Sequence, residues 1–379
     1  MNIHIFKHSL GEFPRGPAEH FEEYLISKQR VVFDIESHPL TADSLLNSTK
    51  RVYLVGQNKL LETQIPRRTT PPLSFFFDLF VFPRGRTADI AIVFNPLAGL
   101  LALLKRNFRH LVYWGVDFQP VFSSNLIRNY IYSLIERVVI KKATILVENN
   151  IYAAEARVLR TGADLSRLDT VIIPISATNF ISAPSCVKNI RLGYVGTLNY
   201  RNGAHRLIPI ANALVKLNHQ FRFDIIGSGP LTDQLKFEIE KNGLTNQIFI
   251  HGFMSNENEI NMILDDADIG IAPYPKDKKS FTTYADPGKL AWYGSRGLYS
   301  IVSDAPKVVD LYQKEKRLIV LSDPFNPDQW AKTISELYED TENLYSLKEK
   351  SLACSMSNNY YNNFDMFLSR LERLVVREN

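Results

Sequence analysis

The sequence has little cysteine, no long apolar run and no strong excess of charge, and each absence excludes a class of protein. Its 379 residues include two cysteines, Cys186 and Cys354, too few for a disulfide framework or a cysteine metal site. We therefore expect a reducing, cytoplasmic compartment. The formal net charge of +4 is far from the profile of a dedicated nucleic-acid-binding protein. It is compatible with anionic small ligands or an anionic membrane surface.

No stretch is long and apolar enough to cross a membrane as a helix. The best candidate, residues 88–104, is interrupted by Asp89 and Pro96, and it is shorter than the ~20 apolar residues that a span requires. Polar and charged residues such as Lys7 also interrupt the first ten residues, so we expect no signal peptide. The protein is therefore expected to be soluble or peripheral, at the inner face of the cytoplasmic membrane.

Short apolar runs alternate with helical patterns along most of the chain, which is typical of βαβ units and parallel sheets. One series of strands ends near Ile173 and a second begins at Ile190, with prolines and polar residues between them. The pattern predicts two doubly wound, Rossmann-like α/β domains, residues 1–180 and 181–355. A C-terminal helix, 356–379, is expected to pack back on the first domain.

The loop Gly227-Ser228-Gly229-Pro230 follows an apolar strand and precedes a helix. Glycines let a turn pass close to a ligand, and the N-terminus of a helix favours phosphate. The dinucleotide fingerprint G-x-G-x-x-G does not fit, because Thr232 stands where a small residue is needed. A tight strand-to-helix turn without a ligand is the alternative interpretation.

A second candidate lies at the start of a predicted helix over residues 287–294. Pro287 suits the first turn, and Asp286 can cap the helix through its carboxylate. Lys289 then lies in the first turn, where a cation opposes the helix dipole. An anion between the N-terminus and the ammonium group would resolve this conflict, and a diphosphate has the required charge. A solvated lysine is the alternative interpretation.

Five segments of the second half occur in an order similar to that of the donor domain in GT-B glycosyltransferases, especially the family 4-like group of bacterial cell-surface polysaccharide synthesis. They are LGYVGTLNYRNG (192–203), FDIIGSGP (223–230), IFIHGFM (248–254), ADIGIAPYP (267–275) and DPGKLAWYGSRGLYSIVSD (286–304). The resemblance implies a GT-B fold, with two Rossmann-like domains facing a cleft. The last segment is the most specific, because it resembles the family's P-x-K-L pattern.

The resemblance also implies a donor site in the second domain. The diphosphate is expected against Lys289, the backbone around Gly196 and Thr197, and Arg201. Gly227 and Gly229 of the second glycine loop are further expected donor contacts. Phe253 is expected to stack on the nucleotide base, with a buried core phenylalanine as the alternative interpretation. Tyr274 and Tyr284 are candidate contacts of the sugar or ribose.

The chain departs from the family pattern at three positions. Retaining members carry two glutamates in the last segment, but Tyr284 and Trp292 stand at those positions. Thr197 replaces the arginine usual after the first glycine. Asp286 is a candidate substitute for a missing carboxylate, and Arg201 for the arginine. These departures leave the donor and the stereochemistry open.

The first domain is expected to bind the acceptor. The segment Pro14–His20 resembles the first loop of these enzymes, which makes Arg15 and His20 candidate acceptor ligands. An inverting reaction needs a general base, and Asp117 is the candidate because it follows an apolar strand. A turn-forming aspartate is the alternative. Other candidate bases lie at the end of the second strand: Asp34, Glu36 and His38.

We therefore expect a metal-independent hexosyl- or uronosyltransferase without a cofactor, since no Asp-x-Asp metal pair stands out. The donor is expected to be a UDP-sugar. The expected acceptor is a saccharide or lipid-linked saccharide in capsule, exopolysaccharide or O-antigen synthesis. A GT-B nucleotide-sugar epimerase and a catalytically silent GT-B subunit are the alternatives.

The segment Leu73–Phe82 is rich in phenylalanine and is followed by arginines. A core strand is the default interpretation. The alternative is a peripheral membrane contact, to which several cations would add: Lys105, Arg106, Arg109, Arg137, Lys141 and Lys142.

Overall fold

A computed structural model describes residues 1–9, 16–28, 31–39, 47–54, 59–66, 73–82, 87–121, 125–164, 168–276, 281–321, 323 and 325–376. The chain forms two compact units, Met1–Pro174 with Tyr360–Asn379, and Ile175–Asn359. The sequence places these boundaries at 180 and 355 instead. Residues after 174 belong to the second unit because the Ile175 N–H donates to the Asp286 carboxylate at 2.8 Å.

The first unit is built on an eight-stranded sheet of order β4-β3-β2-β1-β5-β6-β7-β8. Its strands are β1 (Asn2–Ser9), β2 (Val32–Pro39), β3 (Asn47–Leu54), β4 (Lys59–Pro66), β5 (Ala88–Val93), β6 (Phe108–Gly115), β7 (Ile145–Glu148) and β8 (Asp169–Ile172). The pairs β2–β3 and β3–β4 are antiparallel, and the others are parallel. The sequence does not predict β4 or this antiparallel edge.

Six helices accompany this sheet in the part of the unit that the structure describes. They are α1 (Pro17–Lys28), α2 (Leu73–Val81), α3 (Pro96–Lys105), α4 (Leu126–Lys142), α5 (Ile151–Thr161) and, last in the chain, α13 (Tyr360–Val376). The start of α3 shows how the sequence sets a boundary. The Asn95 side chain accepts the Ala98 N–H at 2.8 Å, and Pro96 needs no hydrogen-bond acceptor in the first turn.

The prediction of a core strand over Leu73–Phe82 is wrong, because these residues form α2. Phe77 and Phe80 are exposed while Asp78 between them is buried. Exposure at positions three apart follows the helical period and not the two-residue alternation of a strand. A short apolar run carries too little periodicity to separate the two.

The second unit has a six-stranded parallel sheet of order β11-β10-β9-β12-β13-β14. Its strands are β9 (Ile190–Val195), β10 (Phe221–Ile226), β11 (Ile248–Gly252), β12 (Ile269–Ala272), β13 (Tyr299–Ser303) and β14 (Leu318–Leu321). Its helices are α6 (Leu207–Lys216), α7 (Thr232–Lys241), α8 (Glu257–Leu264), α9 (Gly288–Ser295), α10 (Val309–Lys314), α11 (Pro327–Glu339) and α12 (Thr341–Ser357). The strand order reverses between β9 and β12, which is where such sheets bind ligands.

Each unit has a buried core of its own. In the first, α13 adds aromatic residues such as Phe364 and Phe367 to a cluster that includes Phe21 and Trp114. In the second, the strands contribute near-continuous apolar residues, as expected of a parallel sheet covered on both faces. Across the described ranges, no helix is both long and apolar enough to span a bilayer.

Candidate functional site

The loops that follow β9, β10 and β11 are joined to one another at the carboxyl end of the second sheet. The Gly196 N–H donates to the Ile226 carbonyl at 2.9 Å, and the Gly227 N–H donates to the Gly252 carbonyl at 2.8 Å. This edge includes the point where the strand order reverses. The loops therefore form one continuous backbone surface at the position where α/β sheets bind ligands.

Glycine is required in this surface for steric reasons. Gly196 and Gly227 have φ values of +139° and +140°, which side chains rarely adopt. A Cβ at Gly227 would lie 2.0 Å from the Gly196 carbonyl oxygen, and one at Gly229 would lie 2.5 Å from that of Leu198. Gly227 and Gly229 thus let two loops touch through their backbones, in agreement with the tight-turn interpretation, and they keep side chains out of the surface.

Lys289 lies in the first turn of α9 and is 9% exposed, so the interpretation of a solvated lysine is wrong. Its Nζ has no hydrogen-bond acceptor among the described residues. The ammonium group lies over the rings of Tyr194 and Tyr274, 4.0 and 4.9 Å from their centroids. A Cβ at Gly196 would be 3.4 Å from Nζ, so the lysine borders the glycine surface.

The electrostatic environment of Lys289 is unfavourable for a cation. Burial lowers the pKa of its ammonium group to about 7, because the charged form loses its hydration. The N-terminus of α9 adds a partial positive charge. The aromatic faces of Tyr194 and Tyr274 offset part of this cost. A buried cation without an acceptor, at a helix N-terminus, is suited to binding an anion.

Asp286 does not cap α9 as the sequence predicts, and Pro287 lies just before the first helical turn. The helix begins one residue later than predicted, with Pro287 at the N-cap and no side-chain capping bond. The buried Asp286 carboxylate accepts the Ile175 N–H and the Tyr312 hydroxyl, each at 2.8 Å. Both of its oxygens are therefore bonded within the protein, and Asp286 is a structural residue in this conformation.

The other predicted donor residues differ in exposure. Phe253 is 67% exposed, so the alternative interpretation of a core phenylalanine is wrong. Tyr274 is buried, with its ring against the Lys289 ammonium. Tyr284 is half-buried and carries the Lys307 ammonium over its ring at 4.8 Å. Thr197 and Arg201 are exposed on the loop after β9.

Two residues that the sequence does not single out hold this loop. The Tyr194 hydroxyl donates to the Thr197 carbonyl at 3.3 Å, and the Asn202 side-chain amide donates to the same oxygen at 3.1 Å. Tyr194 lies within a strand whose sequence predicts only a core position. An asparagine in a glycine-containing loop is a weak signal, since such residues commonly stabilise turns.

The predicted acceptor residues belong to the first unit. Arg15 lies outside the described residues. His20 is on α1 and its ring stacks on Tyr360, with centroids 4.9 Å apart. Asp117 is exposed as a residue, but burial around its carboxyl group raises the pKa of that group, against the opposing charge of Arg157. Its backbone carbonyl accepts an Arg157 N–H at 3.1 Å. A carboxyl group with a raised pKa is suited to taking up a proton, and Asp117 stays the candidate base.

The alternative bases on β2 fit this role poorly. Glu36 and His38 are fully buried and bonded to each other at 3.1 Å. Lys105 donates to the same carboxylate. Although burial raises the pKa of Glu36, hydrogen bonds from His38 and His4 and the charge of Lys105 hold it far below its usual value. Asp34 is half-buried, with the Lys50 ammonium 3.8 Å away.

Lys105 is consequently not the surface cation that the sequence predicts, because it is buried and paired with Glu36.

Within the residues that the structure describes, no group of three or more His, Cys, Asp or Glu side chains could hold a metal ion.

Known proteins resemble this chain in sequence and in fold. Residues 189–340 match the family model described as "Glycosyl transferases group 1". The 2-deoxystreptamine glucosyltransferase of Streptomyces kanamyceticus is 21% identical over 230 residues, 55% of this chain. The match covers 59% of that relative, so the chain spans less than two thirds of its length.

Two solved structures illustrate the likeness in fold. Sucrose-phosphate synthase from Thermosynechococcus elongatus has a TM-score of 0.72 at 14% identity, with 100% of both chains covered. HepE of Anabaena, solved in complex with UDP, has a TM-score of 0.61 at 15% identity, covering 98% of this chain and 100% of its own. The predicted GT-B fold, with two α/β domains and C-terminal helices, is confirmed.

Proposed function

We propose that this chain, whose residues 189–340 match the Glycosyl transferases group 1 family, transfers a sugar from a nucleotide-sugar donor to an acceptor. The donor that we propose is a UDP-sugar. The observation that carries the proposal is the buried ammonium of Lys289, which has no acceptor among the described residues and borders the glycine loops. HepE was solved with UDP, which supports the choice of nucleotide.

The proposed role of Lys289 is to neutralise the diphosphate. When the bond between the sugar and the diphosphate breaks, negative charge develops on the phosphate oxygens. A desolvated ammonium and backbone N–H groups around Gly196 and Thr197 would stabilise that charge, since they are fixed before the reaction. Arg201, exposed on the same loop, is the candidate second cation. On this proposal the leaving group needs no metal ion.

The proposed base contact is the segment after β11. Phe253 is exposed and follows Gly252, whose carbonyl is bonded to the glycine loop. An aromatic ring in this position can stack on a nucleobase. Tyr274 and Tyr284 stay candidates for the sugar or ribose.

The stereochemistry that we propose is inversion. Trp292 and Tyr284 stand where retaining relatives carry glutamates, and the Trp292 indole N–H is bonded to Asn261 at 2.8 Å. An inverting transfer needs a carboxylate base for the acceptor hydroxyl. Asp117 is the candidate because the residue is exposed and burial around its carboxyl group raises the pKa of that group, as a general base requires.

The acceptor that we propose is a saccharide or lipid-linked saccharide of a cell-surface polysaccharide, such as capsule, exopolysaccharide or O-antigen. His20 and Arg15 are the candidate acceptor ligands. The corresponding location is the cytoplasm, at the inner face of the membrane. The second candidate function is a catalytically silent nucleotide-binding subunit, which the two missing glutamates favour.

Calorimetric titration with UDP, GDP, CMP and ADP tests the donor site. We expect UDP to bind, and Lys289→Met to weaken it on the order of 100-fold, because the variant removes the buried charge that pairs with the diphosphate. Lys241→Met, at an exposed position on α7, is the matched control and should leave the affinity unchanged. Full affinity in a folded Lys289→Met variant would contradict the proposed site.

Product analysis then separates the functions. A transferase consumes a UDP-sugar only in the presence of an acceptor, apart from slow hydrolysis. An epimerase would alter the sugar of the donor alone. Binding of UDP without turnover of any donor and acceptor pair would favour the silent subunit.

A further inference from the structure

Helix α4 of the first unit presents a face of large apolar side chains to solvent. Their exposures range from 44% to 83%. They are Leu126, Ile127, Tyr130, Ile131, Leu134 and Val138. We call this set the α4 face. Exposed apolar residues that are scattered are normal, whereas a contiguous group on one element marks an interaction surface.

The spacing of the α4 face confines it to one side of the helix. Its members recur at intervals of three, four and one residues, which correspond to an arc of about 140° at 3.6 residues per turn. The opposite side carries the buried residues Glu136, Val139 and Ile140. The helix thus has two sides with apolar residues, one buried in the core and the other exposed to solvent.

The α4 face is held outward by strong contacts and does not result from a loosely packed helix. Asn125 caps the N-terminus by accepting the Arg128 N–H at 3.1 Å. On the buried side, the Glu136 carboxylate is bonded by both Arg157 and Arg160 of α5. Breaking a buried ion pair of this kind is costly, so rotation of α4 to bury its exposed face is disfavoured.

The exposed charges of helix α4 itself have one sign. Arg128, Arg137, Lys141 and Lys142 are exposed on the same helix. Glu136, its one acidic residue, is buried and neutralised by arginines. The exposed part of α4 therefore combines apolar side chains with cations and carries no anion.

Neighbouring helices also expose apolar side chains. Helix α3 packs between α2 and α4. Phe77 and Phe80 of α2 are 60% and 80% exposed, and Leu104 of α3 is 44% exposed. Exposed apolar side chains thus occur on three helices that pack in series.

We propose that the α4 face docks on an anionic phospholipid surface, with the helix lying in the plane of the interface. Apolar side chains enter the boundary between headgroups and acyl chains, and the cations pair with lipid phosphates. A second copy of this chain is a poorer occupant, because two such faces would bring cations together without an acidic partner. The docking site depends on the proposed function in one respect only: that function determines which membrane the protein meets.

Vesicle sedimentation tests the proposal with the full chain and without any nucleotide sugar, so its outcome is independent of the donor site. The probes are vesicles of phosphatidylcholine alone and vesicles in which phosphatidylglycerol replaces part of it. We expect binding to the anionic vesicles, weaker binding to the neutral ones, and loss of the difference at high salt.

Two double variants separate the contributions. Leu126→Ser with Ile127→Ser should reduce partitioning at least tenfold, because two apolar side chains no longer enter the interface. Lys141→Gln with Lys142→Gln should reduce it on the order of twentyfold on anionic vesicles only, since each cation contributes roughly fivefold. All four positions are exposed, so circular dichroism and the thermal midpoint should match the wild type.

Matched controls lie on α7 of the second unit, where Phe237, Lys236 and Lys241 are exposed. Phe237→Ser, and Lys236→Gln with Lys241→Gln, should bind vesicles like the wild type. Absence of binding to anionic vesicles, or equal binding by the α4 variants, would overturn the proposal. So would a dimer in sedimentation velocity that Leu126→Ser with Ile127→Ser dissociates.

Discussion

At the scale of single residues, Lys289 combines features that conflict unless a ligand is present. Its ammonium is buried, lacks a hydrogen-bond acceptor among the described residues and faces the positive end of a helix dipole. Burial has moved its pKa from 10.5 to about 7. The charged form of the lysine therefore destabilises the unliganded protein, and a bound anion would offset that effect.

This pKa predicts a pH dependence of donor binding. A bound diphosphate favours the charged form and raises the pKa of Lys289 above 7, so binding takes up a proton at higher pH. The affinity for a UDP-sugar should be constant below about pH 7 and weaken above it, by at most roughly tenfold per pH unit. Calorimetry in buffers of different ionisation enthalpy measures both the affinity and the proton uptake.

The control for this dependence is Lys289→Met, in which the residual affinity should not change between the two pH ranges. A UDP-sugar is preferred to UDP as the ligand, because its two phosphates are esterified and do not titrate near neutrality. Constant wild-type affinity across pH 7 without proton uptake would contradict a role for Lys289 in binding the diphosphate.

At the scale of elements, the candidate site is a set of loops that depend on one another. Gly227 lies against the backbone of Gly196, so the loop after β10 determines the position of the loop after β9. The same two loops are joined again by the Leu198 N–H, which donates to the Ser228 carbonyl at 3.0 Å. A change in one loop is therefore transmitted to the other.

Gly227→Ala tests this dependence. Its Cβ would meet the Gly196 carbonyl oxygen at 2.0 Å in a backbone conformation with φ +140°. We expect a loss of about 4 kcal/mol in the free energy of unfolding from strain and overpacking, together with weaker UDP binding. Urea denaturation and calorimetry measure the two effects.

Gly243→Ala is the matched control for the glycine loop. Gly243 also has a positive φ, +68°, but its Cβ would meet nothing within 4 Å. Only the backbone strain of about 1 kcal/mol should remain, with UDP affinity unchanged. Similar losses in the two variants would show that the contact between the loops is unimportant.

At the scale of the whole molecule, the chain returns to the first unit after it has formed the second. Helix α12 belongs to the second unit, and α13, which follows it, belongs to the first. Phe367 of α13 packs on Trp114 and Phe21, with ring centroids 5.3 and 5.7 Å away. The first core is therefore complete only when α13 is packed in it.

Phe367→Ala should lower the free energy of unfolding of the first unit by about 3–5 kcal/mol, because it leaves a cavity in an aromatic core. Met366→Ala, at the neighbouring position that is 66% exposed, should change it by less than about 0.5 kcal/mol. Urea denaturation followed by tryptophan fluorescence measures both, since Trp114 lies in that core. Equal effects of the two variants would contradict the contribution of α13.

The sequence by itself determined the alternation of strands and helices, the two-unit organisation and the position of Lys289 at a helix start. These follow from periodicity and from glycine and proline positions, which act over a few residues and can be read locally. The family-like segments also lie at strand ends, so they predicted the edge of the second sheet at which a ligand would bind.

Only the tertiary structure decided which polar groups are already bonded. The sequence suggests that the Asp286 carboxylate is free to bind a ligand. In the structure, residues more than 25 positions away donate hydrogen bonds to both of its oxygens. Lys105 looks like a surface cation but is paired with Glu36, 69 positions away. Burial and pairing depend on residues that are distant along the chain, and no local pattern contains that information.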